Sequence, residues 1–126
     1  MWRERAARCG EAIAEQFCLL KGYKVVARNA REGRGELDLV AIDQGTVVFV
    51  EVKFRTAGDR GGPLDAVTGT KRADVARAAT RWLAEHRATG RPVRFDVIGI
   101  TWGPDGTELR LQHVPNAFSG EGRHFF

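Results

Sequence analysis

The residues best placed to do chemistry lie in one stretch, Glu36-Leu37-Asp38-Leu39-Val40-Ala41-Ile42-Asp43-Gln44-Gly45-Thr46-Val47-Val48-Phe49-Val50-Glu51-Val52-Lys53-Phe54-Arg55. Alternation of side chains sets Glu36, Asp38, Val40 and Ile42 on one face of a first strand. It sets Val47, Phe49, Glu51, Lys53 and Arg55 on one face of a second. A turn centred on Gln44-Gly45 then brings Asp38 opposite Glu51 and Glu36 opposite Lys53, with Cβ atoms about 4.5–5.5 Å apart. Two carboxylates that close repel each other until one takes a proton or a divalent cation enters. Hard oxygen donors suit Mg²⁺, with Mn²⁺ as the substitute. Lys53, on the same side, can hold a water or a phosphate oxygen. The trio therefore fits phosphodiester hydrolysis, in which a cation polarises the phosphate and acidifies water while an ammonium offsets developing charge. Glu-x-Lys is also a common tripeptide, and an ordinary strand-end ion pair accounts for these residues equally well.

Other residues carry weaker signals. Glu11 shares a helix face with Ala7, Ala14 and Cys18, so it can lie against a sheet and reach the cluster. A plain surface glutamate fits it too, and Glu15, one turn on, reads as solvated. Lys71 and Arg72 open a helix, where the dipole disfavours cations, so a phosphate partner or simple exposure explains them. Arg55 and Arg60 lie in a glycine-rich loop and can clamp a nucleic-acid backbone or face water. Trp82 and Phe49 read as core, and His86 as a packed histidine on an apolar helix face.

The elements that must position these residues follow from periodicity. A helix is predicted over 3–21, with Ala6, Cys9, Ile13, Phe17 and Leu20 on one stripe and Gly22 as its stop. Tyr23–Arg28 reads as a strand and Asn29–Gly35 as a polar connection. Glu36–Ile42 and Thr46–Phe54 form a hairpin around Asp43-Gln44-Gly45. The run 46–54 is almost continuously apolar, as a central strand covered on both faces should be. After the glycine-rich loop 55–63 a helix runs over Thr70–Arg87, with Val75, Ala79, Trp82, Leu83 and His86 on one face. Strands Val93–Thr101 and Glu108–Val114 follow, joined by a turn at Gly103-Pro104-Asp105-Gly106. The order α-β-β-β-α-β-β describes an α/β protein with a mixed sheet flanked by helices, a single domain over 1–126.

Composition narrows the setting. Twenty basic against 16 acidic residues give a net charge of +4 and a pI near 9.6, which favours a polyanionic partner. Cys9 and Cys18, separated by nine helical residues at about 100° each, face opposite sides and cannot pair. Free thiols fit a reducing cytosol. The charged N-terminal segment does not read as a secretory signal, and no apolar run spans a bilayer, so a cytoplasmic protein without membrane association is expected. His86, His113 and His124 are scattered and the cysteines lack ligand spacing, which argues against structural zinc.

A set of short motifs adds a resemblance. Gly10-Glu11-x-x-Ala14, Gly22-Tyr23, Arg28-Asn29, Gly35-Glu36-Leu37-Asp38-Leu39-Val40, Val48-Phe49-Val50-Glu51-Val52-Lys53-x-Arg55, Lys71, Arg94-Phe95-Asp96-Val97 and Asn116-Ala117-Phe118 occur in this order. In this the chain resembles the YraN-like family, a bacterial group classed with the PD-(D/E)XK nucleases and related to archaeal Holliday-junction resolvases. The resemblance implies a restriction-endonuclease-like core and metal-dependent cleavage of DNA, including branched DNA. It implies Asp38 and Glu51 as metal ligands with the Val52 backbone carbonyl, Lys53 as the water-orienting lysine, and Glu11 as the helix-one carboxylate. It also implies Mg²⁺ as cofactor, DNA as partner and, by analogy with the resolvases, a homodimer. Leu37 stands where the motif has proline. A non-catalytic nucleic-acid-binding adaptor in DNA repair or uptake is the competing reading.

Overall fold

The computed structural model describes residues 2–56, 69–103 and 108–118. The elements are α1 (Trp2–Leu20), β1 (Lys24–Glu32), β2 (Gly35–Asp43), β3 (Thr46–Thr56), α2 (Gly69–Glu85), β4 (Val93–Trp102) and β5 (Leu109–Phe118). Their order is the expected one. The five strands form one sheet in the order β1-β2-β3-β4-β5. Neighbours are antiparallel except β3 and β4, which run parallel, with α2 in the connection between them. Among the described residues no helix is long and apolar enough to cross a membrane.

Both helices stop at left-handed residues. Gly22 has φ 90, with Tyr23 N–H donating to Cys18 C=O at 2.9 Å and Gly22 N–H to Leu19 C=O at 3.0 Å. Arg87 plays the same part after α2 at φ 53. These bonds satisfy carbonyls that the helix ends would otherwise orphan. The β2–β3 turn has Gln44 at φ 48 and Gly45 at φ 87, two positive φ values that match the twist of a two-residue hairpin.

Each helix covers one face. On the α2 side Val75, Ala78, Ala79, Trp82 and Leu83 meet Val40, Val47, Phe49 and Phe95. Phe49 stacks on Phe95 at 5.6 Å and meets Trp82 edge-on at 5.9 Å. On the α1 side Ala14 and Cys18 meet Val48, Val50, Ile98 and Ile100, with Ile13 and Phe17 at the rim. The apolar run of β3 is thus buried on both faces, as its composition required.

Several expectations shift. The contact stripe of α1 runs through Gly10, Ala14 and Cys18, while Cys9 is exposed and Leu20 is 87% exposed. Small residues win this face because they let the helix approach closely; a Cβ on Gly10 would sit 3.4 Å from Phe54. Asn29–Gly35 is not a loop: β1 continues to Glu32 and turns at Gly33. Polar residues are tolerated there because β1 is an edge strand. Arg55 lies within β3, whose parallel pairing runs on to Thr56↔Trp102. Strand β5 extends to Phe118, with Pro115 admitted on a sheet edge. His86 packs on one side only: its ring stacks on Trp82 at 4.0 Å while the residue as a whole stays exposed. The remainder of the glycine-rich loop, including Arg60, and turn residues 104–106 lie outside the described residues.

A second polar network locks the turn end of the hairpin. Asp96, with no solvent exposure, accepts from Arg94 Nε at 3.0 Å, Asn116 N–H at 2.9 Å and His113 Nε2 at 2.7 Å. Arg94 also reaches Asp43 at 3.0 Å and the Tyr23 hydroxyl at 2.7 Å. A carboxylate this deep persists only with all its lone pairs engaged.

Candidate functional site

The turn fixes the β2–β3 register as expected, from Asp43↔Thr46 to Leu39↔Val50, and there the ladder ends. Beyond it β2 pairs only with β1, and β3 only with β4. Asp38 and Glu51 are the first residues past the last rung, one on each arm of the fork. Asp38 Oδ2 accepts from the Val52 N–H at 2.9 Å. The carboxylate thereby takes over a backbone donor that a continuing strand would have satisfied.

Alternation fails at this point. Leu37 and Val40 both enter the core on the α2 side, while Leu39 enters the other. The expected common face of Glu36, Asp38 and Val40 is therefore corrected: Asp38 turns into the fork. Glu36 does not oppose Lys53 either; it pairs with Arg31 of β1. Strand β3 stays regular, with Val47 and Phe49 toward α2 and Val48 and Val50 toward α1. Lys53 consequently follows Glu51 on the α2 side. The N–H and C=O of a strand residue point the same way, so the Val52 carbonyl faces the fork with its N–H.

Glu51 is 2% exposed. Its Oε1 is buried, and the Lys71 ammonium lies 3.3 Å from it as its charge partner. Lys71 reaches it from the first turn of α2, one turn before the core residue Val75. That packing depends on Gly35, where a Cβ would stand 3.1 Å from both the Ala78 Cβ and the Asp74 carbonyl. Arg34, Gly35, Glu36, Asp38, Lys71, Asp74 and Val75 line an open cavity of about 220 Å³ beside the fork.

The electrostatics are those of crowded carboxylates. Burial, then the Asp38 charge, pushes the Glu51 carboxyl up to about 7, against the pull of Lys71 and Lys53. Burial also raises Asp38, with the Val52 N–H and the two lysines opposing it. Glu11 is raised by burial and by Asp38 and Glu36, and the Asn29 side chain opposes the shift. Burial works against the Lys71 ammonium, but Glu51 and Asp38 outweigh it.

The structure thus sets Asp38, Glu51, Lys53 and Lys71 at one fork, with Glu11 near enough for the Asp38 charge to act on it. Lys71, expected to face either a phosphate or water, is the counter-charge of Glu51. Its visible signal was a helix start with no acidic residue in the first turn. Glu15 is not solvated but hydrogen-bonded by Arg28. Arg72 is half-buried on α2, and Arg55 is half-buried beside Thr101 at the end of β3.

The donor set fits Mg²⁺. Two carboxylates and a backbone carbonyl are hard oxygens, and a buried Oε1 pressed up by the neighbouring Asp38 charge is what an oxygen-seeking cation relieves. Among the described residues no three His, Cys, Asp or Glu side chains converge. A site with two carboxylates suits an ion that keeps water and substrate phosphate in its remaining positions.

Fold and site define an α/β protein with a carboxylate pair, Glu51 buried and Asp38 part-buried, at the fork of a mixed sheet. Residues 10–100 match the family described as "Uncharacterised protein family UPF0102", and the chain belongs to that family. A UPF0102 protein of Anaeromyxobacter dehalogenans is 44% identical over 96% of this chain and 89% of its own length. That of Symbiobacterium thermophilum is 44% identical over 90% and 96%, and that of Beutenbergia cavernae 50% over 83% and 88%. The matched span contains Glu11, Asp38, Glu51, Lys53 and Lys71 and the YraN-like motifs as far as Arg94-Phe95-Asp96-Val97; Asn116-Ala117-Phe118 lies beyond it.

Proposed function

We propose that the protein is a metal-dependent endonuclease that hydrolyses phosphodiester bonds of DNA at the β2–β3 fork, within a core of restriction-endonuclease type. The observation that carries this reading is the buried Glu51 carboxylate, held beside Asp38 and countered by the Lys71 ammonium at 3.3 Å, with Lys53 next along the strand. A binding module has no physical reason to keep two repelling carboxylates where a polyanion must approach.

Asp38, Glu51 and the Val52 carbonyl would hold Mg²⁺ or Mn²⁺. Once bound, the ion supplies Lewis acidity toward the phosphate and lowers the pKa of a water. Lys53 orients the attacking water and offsets charge developing on the phosphate oxygens. Lys71 lines the cavity mouth, 42% exposed, and can pass from Glu51 to a phosphate oxygen. Arg55, Arg60 and Arg72 hold the flanking backbone, and the net charge of +4 favours the encounter. A homodimer would present two such forks to the two strands of a branched substrate.

The test incubates duplex, single-stranded and four-way-junction DNA with protein in Mg²⁺, Mn²⁺ or EDTA, beside Asp38→Ala and Lys53→Ala. The expected result is cleavage that needs the ion and disappears in both variants. Binding without cleavage in either ion would contradict the proposal.

A further inference from the structure

The Arg28-Asn29 pair breaks the pleat of β1 opposite the fork. Asn29 has φ 48 and lies between the rungs Arg28↔Leu39 and Ala30↔Leu37, alongside Asp38. Ala27 and Ala30 both pack against the α2-side core. Residues three apart on a regular strand face opposite ways, so the left-handed residue has reversed the alternation between them. Arg28 and Asn29 are left on the same side, toward α1. There Arg28 Nε donates to Glu15 Oε1 at 2.7 Å, and the Asn29 side chain acts on the Glu11 carboxyl, one helical turn earlier, to oppose its rise. Two successive strand residues thus face two successive turns of the helix.

Glu11 needs a hold. It is only part-buried, and the negative charges of Asp38 and Glu36 act on it. An untethered glutamate under that repulsion rotates outward into water. Asparagine suits the position twice over, since it tolerates a left-handed backbone and its side-chain amide donates to a carboxylate.

We infer that Asn29 is a positioning residue whose left-handed backbone turns its amide toward α1 and keeps the Glu11 carboxylate directed at the Asp38–Glu51 fork. The inference rests on the proposed function, because Glu11 has a task only where the fork takes a cation.

Asn29→Gly removes the amide yet keeps the left-handed backbone, so its melting temperature should stay close to the parent's. Its Mg²⁺ affinity by titration calorimetry should fall about tenfold, the scale of lost outer-shell support. kcat for DNA cleavage should fall with it while KM holds. In a Glu11→Gln background Asn29→Gly should change neither quantity further. Unchanged affinity and kcat in Asn29→Gly, or losses that multiply independently with Glu11→Gln, would overturn the inference. Coupled losses of Mg²⁺ affinity in a protein that cuts no DNA would uphold the positioning role and remove the nuclease reading. A parent protein that binds no Mg²⁺ would overturn both.

Discussion

Replacing Glu51 by Gln should make the metal-free protein more stable at pH 8. The Glu51 carboxyl is pushed from 4.5 to about 7 in the folded chain, so its anion is disfavoured there by roughly 3 kcal/mol. The sign follows from proton binding. A carboxyl raised on folding binds more protons in the native state. Its favourable contribution is complete below pH 4.5 and is lost as pH rises through about 7. At pH 8 the wild type bears the whole burden and Glu51→Gln none, since the amide is neutral and nearly isosteric. The variant should gain about 2–3 kcal/mol, the lower figure allowing for the partner that Lys71 loses. At pH 5 the folded wild type holds its proton and the difference should shrink below about 1 kcal/mol. Urea denaturation in EDTA at the two pH values measures both. A variant less stable than wild type at pH 8, or a difference independent of pH, would mean that Lys71 already satisfies Glu51. The fork would then be an ordinary ion pair.

Further outcomes follow from the same geometry. Mg²⁺ competes with the proton on Glu51, so it should raise the melting temperature more at pH 8 than at pH 5.5, and Asp38→Ala should abolish the rise. Gly35→Ala forces a Cβ to within 3.1 Å of Ala78 and of the Asp74 carbonyl; denaturation should show a loss of about 1–3 kcal/mol and a weakened Mg²⁺ response. Asp96→Ala leaves Arg94 and His113 without their buried acceptor, and should cost about 3–5 kcal/mol by the same assay. Lys71→Ala should weaken DNA binding in EDTA across sequences and reduce the salt slope by about one, read by fluorescence anisotropy.

The hairpin was legible because its turn chemistry and hydrophobic pattern agree. Gln44-Gly45 fixes the register, and Val47 to Val50 require burial on both faces. That register by itself sets Asp38 and Glu51 at the same level. The fork itself was not legible. Alternation rules assume an unbroken pleat, and nothing in the run Leu37-Asp38-Leu39 announces that Asp38 will replace a strand as the acceptor for Val52. The ion pair between Lys71 and Glu51 joins elements distant in sequence through packing, and only the missing acid at the start of α2 hinted at it. On α1 the large apolar residues suggested a stripe offset from the observed one: Ile13 and Phe17 pack at its rim, but close approach centres it on Gly10, Ala14 and Cys18. Arg94, Asp96 and Asn116 stood out as motif residues, and the structure explains them as a buried network.

The account stands on one cation gripped by Asp38 and Glu51 beside Lys53. Anomalous diffraction from crystals soaked in Mn²⁺ tests this directly. A single strong peak is expected within bonding distance of both carboxylates and the Val52 carbonyl, absent from Asp38→Ala crystals. A wild-type map with no peak at the fork, the Lys71 ammonium still seated on Glu51, would contradict it.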